Sequence, residues 1–188
     1  MKITTAENDI EYILFTEEQI KKRVKEMGEE LTEMYKDSIP VMGCVLKGAS
    51  VFYTDLIRSF NGHMFMDFIS VTSYGQAAKS SGTVSFRKDF DNDLKGKDVI
   101  IVEDIVDSGL TLMYLKKLLM ERDIKSVRTV ALLDKFECHP ATLSCDLSGF
   151  RIDNRFVVGY GLDYAGYYRN LPYIGVLKRE VYEDRSKD

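Results

Sequence analysis

The stretch from Asp98 to Met113, D-V-I-I-V-E-D-I-V-D-S-G-L-T-L-M, constrains the fold more than any other part of the chain. Val99-Ile100-Ile101-Val102 is a short, uninterrupted β-branched run, the pattern of a strand buried on both faces of a parallel sheet. Glu103 and Asp104 follow where that strand is expected to end. Asp107 stands in a turn, Ser108-Gly109 punctuates it, and Leu110 opens a helical pattern. A strand that leads through a glycine turn into a helix makes an anion-binding geometry. The first N–H groups of a helix lack internal partners, and the helix dipole favours negative charge there. Ser108 and Thr111 add hydroxyl donors at the same place. A loop meant only for phosphate has no use for three carboxylates. Adjacent acids suit the donor hydroxyls of a ribose, or a Mg²⁺ ion, which prefers oxygen ligands. The stretch therefore reads as a site for a ribose 5-phosphate.

The rest of the chain bounds what surrounds this stretch. Its 188 residues have the size of one domain, and 45% of them are hydrophobic, enough for a sizeable core. No run approaches the roughly 20 apolar residues of a membrane span. The opening M-K-I-T-T-A-E-N-D-I lacks the apolar centre of a signal peptide. The expectation is a cytoplasmic protein without a membrane partner. A net charge of −4 argues against nucleic acid as a partner, because duplex phosphates need a basic face. Three cysteines, Cys44, Cys138 and Cys145, with no C-x-x-C pair, do not suggest a disulfide framework, and their spacing with His139 fits no common zinc pattern.

In chain order, residues 16–37 read as a helix with a Thr16/Gln19 capping box and an apolar face of Ile20, Val24, Met27, Leu31 and Met34. Pro40 to Leu46 reads as a buried strand, broken by Lys47-Gly48 and followed by a helix from Ala49 to Phe60. This is a second strand–glycine–helix unit, now with a lysine in the turn, and a second candidate anion site. Met64 to Val71 reads as a strand, and Thr72 to Gly82 as a polar, mobile loop. Thr83 to Phe86 alternates as a returning strand. The central helix is expected to reach about Arg122 and to bury Leu112, Leu115, Leu118 and Leu119. Val127 to Leu133 is the next strand. It delivers Asp134-Lys135 to the carboxyl end of the sheet, the ligand side of an open α/β sheet. Residues 136–150 read as irregular, and Phe156–Tyr160 and Tyr173–Leu177 as short strands.

These segments together resemble the hypoxanthine(-guanine) phosphoribosyltransferases, short bacterial-type members of the type I phosphoribosyltransferase family. V-I-I-V-E-D-I-V-D-S-G-L-T-L resembles that family's phosphoribosyl pyrophosphate (PRPP) motif, and V-L-K-G-A its pyrophosphate loop. The Ser-Tyr loop, L-L-D-K, and F-V-V-G-Y-G-L-D-Y-x-x-Y-Y-R-N-L-P resemble its other signatures, so the likeness covers most of residues 40–177. The resemblance implies an α/β fold with a parallel-sheet core flanked by helices, over about 38–150 of a single domain 1–188. It also implies a small hood from the terminal segments and a mobile loop. It implies Mg²⁺-dependent transfer of 5-phosphoribosyl from PRPP to hypoxanthine and guanine, giving IMP and GMP with pyrophosphate, in a homodimer or homotetramer.

Roles follow residue by residue. Ser108, Gly109, Leu110 and Thr111 are expected to hold the 5-phosphate, and Glu103 and Asp104 the ribose hydroxyls, partly through Mg²⁺. Lys47, Gly48 and Arg169 are expected at pyrophosphate. Asp163 resembles the family's second Mg²⁺ contact, near the purine. Asp107 is the general-base candidate. Lys135 is matched to the 6-oxo atom, Phe156 to stacking on the base, and Val157 to reading its Watson–Crick edge through the backbone. Ser73 and Tyr74 belong to the closing loop. Leu110 departs from the family, some of whose members carry a polar or basic residue there; only its N–H is needed for phosphate. A PRPP-sensing regulator on the same fold is the alternative reading. It has no evident use for Asp107, Lys135 and Phe156.

Overall fold

A computed structural model describes residues 5–73, 84–140, 143 and 145–183. Two sheets organise the described residues. The larger has six strands in the order β4-β3-β2-β5-β6-β7: β2 (Val41–Val45), β3 (Phe65–Ser73), β4 (Val84–Lys88), β5 (Asp98–Val106), β6 (Ser126–Asp134) and β7 (Leu147–Arg151). The β2–β3, β2–β5, β5–β6 and β6–β7 pairs are parallel, and β4 is an antiparallel edge. The smaller sheet, β1-β9-β8, is antiparallel and joins β1 (Ile10–Phe15), β8 (Val157–Val158) and β9 (Ile174–Leu177). The helices are α1 (Glu17–Met34), α2 (Ser50–Ser59), α3 (Leu110–Met120) and α4 (Arg179–Glu183).

The central strand shows why this sequence needs both faces covered. Ile100 and Val102 enter a core shared with α1 and α2, through Ile20, Val24, Leu31, Phe52 and Leu56. Val99 and Ile101 enter the opposite core, shared with α3 through Leu112, Leu115 and Leu119. All four are fully buried. Period-two alternation thus sends neighbouring β-branched side chains into two different cores. Because α2 follows β2 on one face and α3 follows β5 on the other, the winding reverses between these two adjacent strands. In an open α/β sheet that reversal opens a crevice at the carboxyl ends. The turns at Lys47-Gly48 and at Asp107-Ser108-Gly109 lie on its two sides.

The capping box at Thr16 is present: Thr16 Oγ1 accepts from Gln19 N–H, and Gln19 Oε1 accepts from Thr16 N–H at 2.8 Å. Several expectations are corrected. The central strand does not end before the acids. β5 runs on to Val106, because Ile105 and Val106 continue the ladder with Leu133 and Asp134 of β6. Met34 is exposed, at the last turn of α1, and Leu118 is only half-buried. Leu147–Arg151, which begins inside the stretch 136–150 expected to be irregular, is a parallel strand whose Ser and Gly hid the pattern. Phe156–Tyr160 shrinks to two strand residues, and β1 and α4 were not foreseen. The likeness-based expectation of a parallel-sheet core flanked by helices is met. No helix among the described residues is long and apolar enough to cross a membrane.

Candidate active site

The β5–α3 turn is shaped by Gly109. It caps α3 with φ +71°, a left-handed conformation that side chains rarely adopt, and a Cβ there would lie 3.2 Å from Leu143. No side chain caps the helix start, so the N–H groups of its first turn remain available to an anion. They border a cavity of about 230 Å³ lined by Glu103, Asp107, Ser108, Gly109 and Thr111 among others. Leu110 is 60% exposed and takes no part in that lining.

Glu103 and Asp104 lie inside β5, at the level where its pairing with β2 has stopped after Val102 and only β6 continues. Their carboxyls are therefore drawn into the crevice instead of ending a strand. Burial pushes the Glu103 carboxyl well above the usual carboxylate range, and the neighbouring Asp104 charge adds to this. Burial also raises Asp104, against backbone hydrogen bonds and the positive Arg169 that lower it, while Asp163 raises it further. Across the crevice, the Leu46–Lys47 peptide bond is cis and Lys47 is exposed. Gly48 is packed so closely on Asp104 that a Cβ would overlap its carboxylate. A Cβ on Gly161 would in turn strike the Gly48 carbonyl. The Lys47-Gly48 turn, the acid pair and the loop after β8 thus meet at one place.

Arg169 donates to Gly161 O at 2.6 Å and pairs with Asp163 at 2.6 Å, while Asp163 Oδ2 accepts from Gly166 N–H. On the other flank Lys135, its side chain only 10% exposed, holds Asp107 at 3.2 Å and reaches Asn154 Oδ1 at 3.5 Å. Asp107 is far more open, with 60% of its side chain exposed. Phe156 is 37% exposed and stacks on Tyr182 of α4, ring centres 4.9 Å apart and planes within 17°. Tyr164 meets it edge-on at 5.4 Å. Val157 belongs to β8, the edge of the small sheet. Leu177 N–H donates to Phe156 O, so Phe156 and Val158 carry the ladder bonds to β9, and the N–H and C=O of Val157 turn to the open side. Ser73 ends β3; Tyr74 lies outside the described residues.

Sequence reasoning missed Asn154, Tyr182 and a buried pair, Asp134 and His139. Nothing in D-N-R marks Asn154, and Tyr182 lies beyond the last expected strand. The histidine was visible, but only as an unconvincing metal ligand.

A family model described as "Phosphoribosyl transferase domain" matches residues 13–165. The chain is 52% identical over 176 residues to the hypoxanthine-guanine phosphoribosyltransferase of Bacillus subtilis, covering 94% of this chain and 98% of that protein. It is 46% identical, with the same coverage, to the enzyme of that name from Streptococcus thermophilus. The crystal structure of a hypoxanthine phosphoribosyltransferase from Staphylococcus aureus superimposes with a TM-score of 0.91 at 42% identity, covering 97% of this chain and 99% of that one.

Proposed function

The chain belongs to the phosphoribosyl transferase domain family, in its hypoxanthine-guanine branch, and from that premise we propose that it transfers 5-phosphoribosyl from PRPP to N9 of hypoxanthine and guanine. The products are IMP or GMP and pyrophosphate. The observation that carries the reading is the Asp107–Lys135 pair, 3.2 Å apart beside the glycine-capped start of α3. N7 and O6 are neighbours on one edge of a 6-oxopurine. A carboxylate and an ammonium at this separation match an N7–H donor and an O6 acceptor. Adenine, with an exocyclic amine at position 6, would face the ammonium donor for donor.

In this reading the helix-start N–H groups, Ser108 and Thr111 hold the 5-phosphate, and Glu103 and Asp104 take the ribose hydroxyls. Arg169 and Lys47 meet pyrophosphate with fixed positive charge, Arg169 exchanging its contact with Asp163 for phosphate oxygens. Asp107 accepts the N7 proton as N9 bonds to C1 and the C1–pyrophosphate oxygen bond breaks. Phe156 stacks on the base, and the outward backbone of Val157 pairs with its Watson–Crick edge. The small sheet acts as the hood over the centre and helps to exclude water.

The acids suit Mg²⁺. Among the described residues no three His, Cys, Asp or Glu groups come together as a cage. Mg²⁺ commonly takes one or two carboxylates and completes its shell with water and substrate oxygens. Glu103 and Asp104, with Asp163 close to Asp104, would hold the ion jointly with PRPP. When bound, it neutralises charge building on the departing pyrophosphate.

Assembly as a homodimer or homotetramer belongs to the same reading, and light scattering would give a multiple of the 21.5 kDa chain mass. The deciding experiment offers hypoxanthine, guanine, xanthine and adenine separately, with PRPP, Mg²⁺ and an EDTA control. Metal-dependent turnover of hypoxanthine and guanine, without adenine, is the expected result. PRPP binding with no turnover of any base would instead make the chain a PRPP sensor.

A further inference from the structure

Directly behind the phosphate turn lies a buried ionisable pair that the proposed chemistry does not use. His139 Nε2 stands 2.7 Å from Asp134 Oδ1, with the two side chains 2% and 3% exposed. The other ring nitrogen, Nδ1, stands 3.2 Å from Pro140 O. Both partners are acceptors. A neutral imidazole has one N–H and can satisfy only one of them, whereas an imidazolium donates to both. Burial disfavours a charge on the ring, but the two acceptors outweigh it and push the imidazole above its usual pKa, toward the cation.

The position of the pair gives that charge a consequence. Asp134 ends β6, opposite Val106 of β5, and its neighbour Lys135 donates its N–H to Val106 O. A Cβ added at Gly109 would lie 3.6 Å from the Cβ of His139. The backbone that carries His139 therefore packs against the glycine that caps α3. Asp134 is a buried carboxylate at an end of the sheet where an anion is to be bound. The charged groups acting on His139 are Asp134 from β6 and Asp107 from the turn before α3. In its own segment Lys135 is engaged by Asp107. From α3, Lys116 is held by Asp146 at 3.0 Å. Both of these ammonium groups are thus engaged by other acids.

We propose that His139 is a positioning residue for PRPP: its imidazolium cancels the buried Asp134 charge behind the phosphate turn and holds residues 134–140 against Gly109. The proposal rests on the phosphoribosyl reading of the site. It answers a difficulty that the net charge of −4 poses, since a strongly anionic sugar must settle on an acidic protein whose phosphate turn carries no Lys or Arg of its own. Loss of the proton would leave a net negative charge beside the bound anion.

Linkage makes this testable, because an anion that favours the imidazolium must raise its apparent pKa on binding. The chain has two histidines, and His63 is exposed, so the ring signals of native protein separate His139 from an internal control. Ring titrations by NMR from about pH 6 to 9, with and without PRPP, are the measurement. The expected result is a higher midpoint for His139 with PRPP and an unmoved His63. Calorimetry should show His139→Gln binding PRPP on the order of 10-fold more weakly at neutral pH, with less further loss as pH rises than native protein shows. His139→Gln shares PRPP's own phosphate titration and so cancels it. An unmoved His139 midpoint in native protein that binds PRPP would overturn the proposal while sparing the enzyme reading. Native protein that fails to bind PRPP would overturn the reading beneath it. Should His139→Gln not fold, the native titration alone decides.

Discussion

Asp107 and Lys135 neutralise each other at 3.2 Å, so each sets the environment of the other. Asp107→Asn keeps the shape and an acceptor for Lys135 but gives up the charge that receives a proton. Its kcat is expected to fall about 10- to 1,000-fold with PRPP affinity largely kept, as steady-state kinetics beside PRPP titration would show. Unchanged turnover would remove Asp107 from its role. Lys135→Ala acts on selection. Loss of one matched donor to the 6-oxo atom is worth roughly 1–3 kcal/mol, about 5- to 150-fold in the preference for hypoxanthine over adenine. Competition assays that find the preference intact would refute the pairing.

At the scale of elements, the sequence announced two strand–glycine–helix units and left open how they face each other. The two turns flank a reversal of winding between adjacent strands, and Gly48 rests on Asp104. Gly48→Ala is expected to displace that carboxyl and lower kcat/KM about 100-fold, since misplacement of an ångström costs that much. A variant that folds and turns over normally would show that the contact is unimportant. The acids themselves were legible as chemistry but misplaced as structure. Polar residues after an apolar run signal a strand end, and only the ladder from Glu103 to Val106 with β6 reveals otherwise. Elements whose burial pattern is local, such as α1 and the two central strands, could be read directly. β1 and β7 could not, because their strand character comes from distant partners, Ile174–Leu177 and Val130–Asp134. Lys135 was legible as a lysine past a strand end. Its partnership with Asp107 and Asn154 spans 28 and 19 residues of sequence and has no local signature.

Across the whole molecule, one core runs beneath both sheets: Val157, Ile174 and Val176 of the small sheet join Ile100 and Val102 of the large one. Phe15 and Phe150 stack between them at 4.0 Å. That continuous packing supports a site that itself opposes folding. A carboxyl whose folded pKa exceeds its unfolded value contributes stability only while protonated, and that contribution is lost as pH rises from the unfolded toward the folded value. Burial and Asp104 raise Glu103 in this way, so at neutral pH the free protein carries it as a burden. Glu103→Gln is expected to raise the melting temperature of the free protein at neutral pH by a few degrees, with a smaller gain at pH 4. The same variant should bind PRPP with Mg²⁺ more weakly. Calorimetric melts at the two pH values check the first claim, and equal or lower stability at neutral pH would refute it.

The outward-turned backbone of Val157 has a consequence for how this surface can change over generations. A side-chain contact can be rewritten by one codon, but a main-chain N–H and C=O are spelled identically by nineteen amino acids. Base recognition by β8's free edge, as proposed, would therefore be shielded from ordinary drift, and only proline, which lacks the N–H, would erase a letter of it. Such an enzyme would alter its choice among 6-oxopurines chiefly by moving the strand, through β9 and the residues that carry it. Selection experiments seeking new base preferences should accordingly return substitutions scattered beneath the small sheet more often than at position 157 itself.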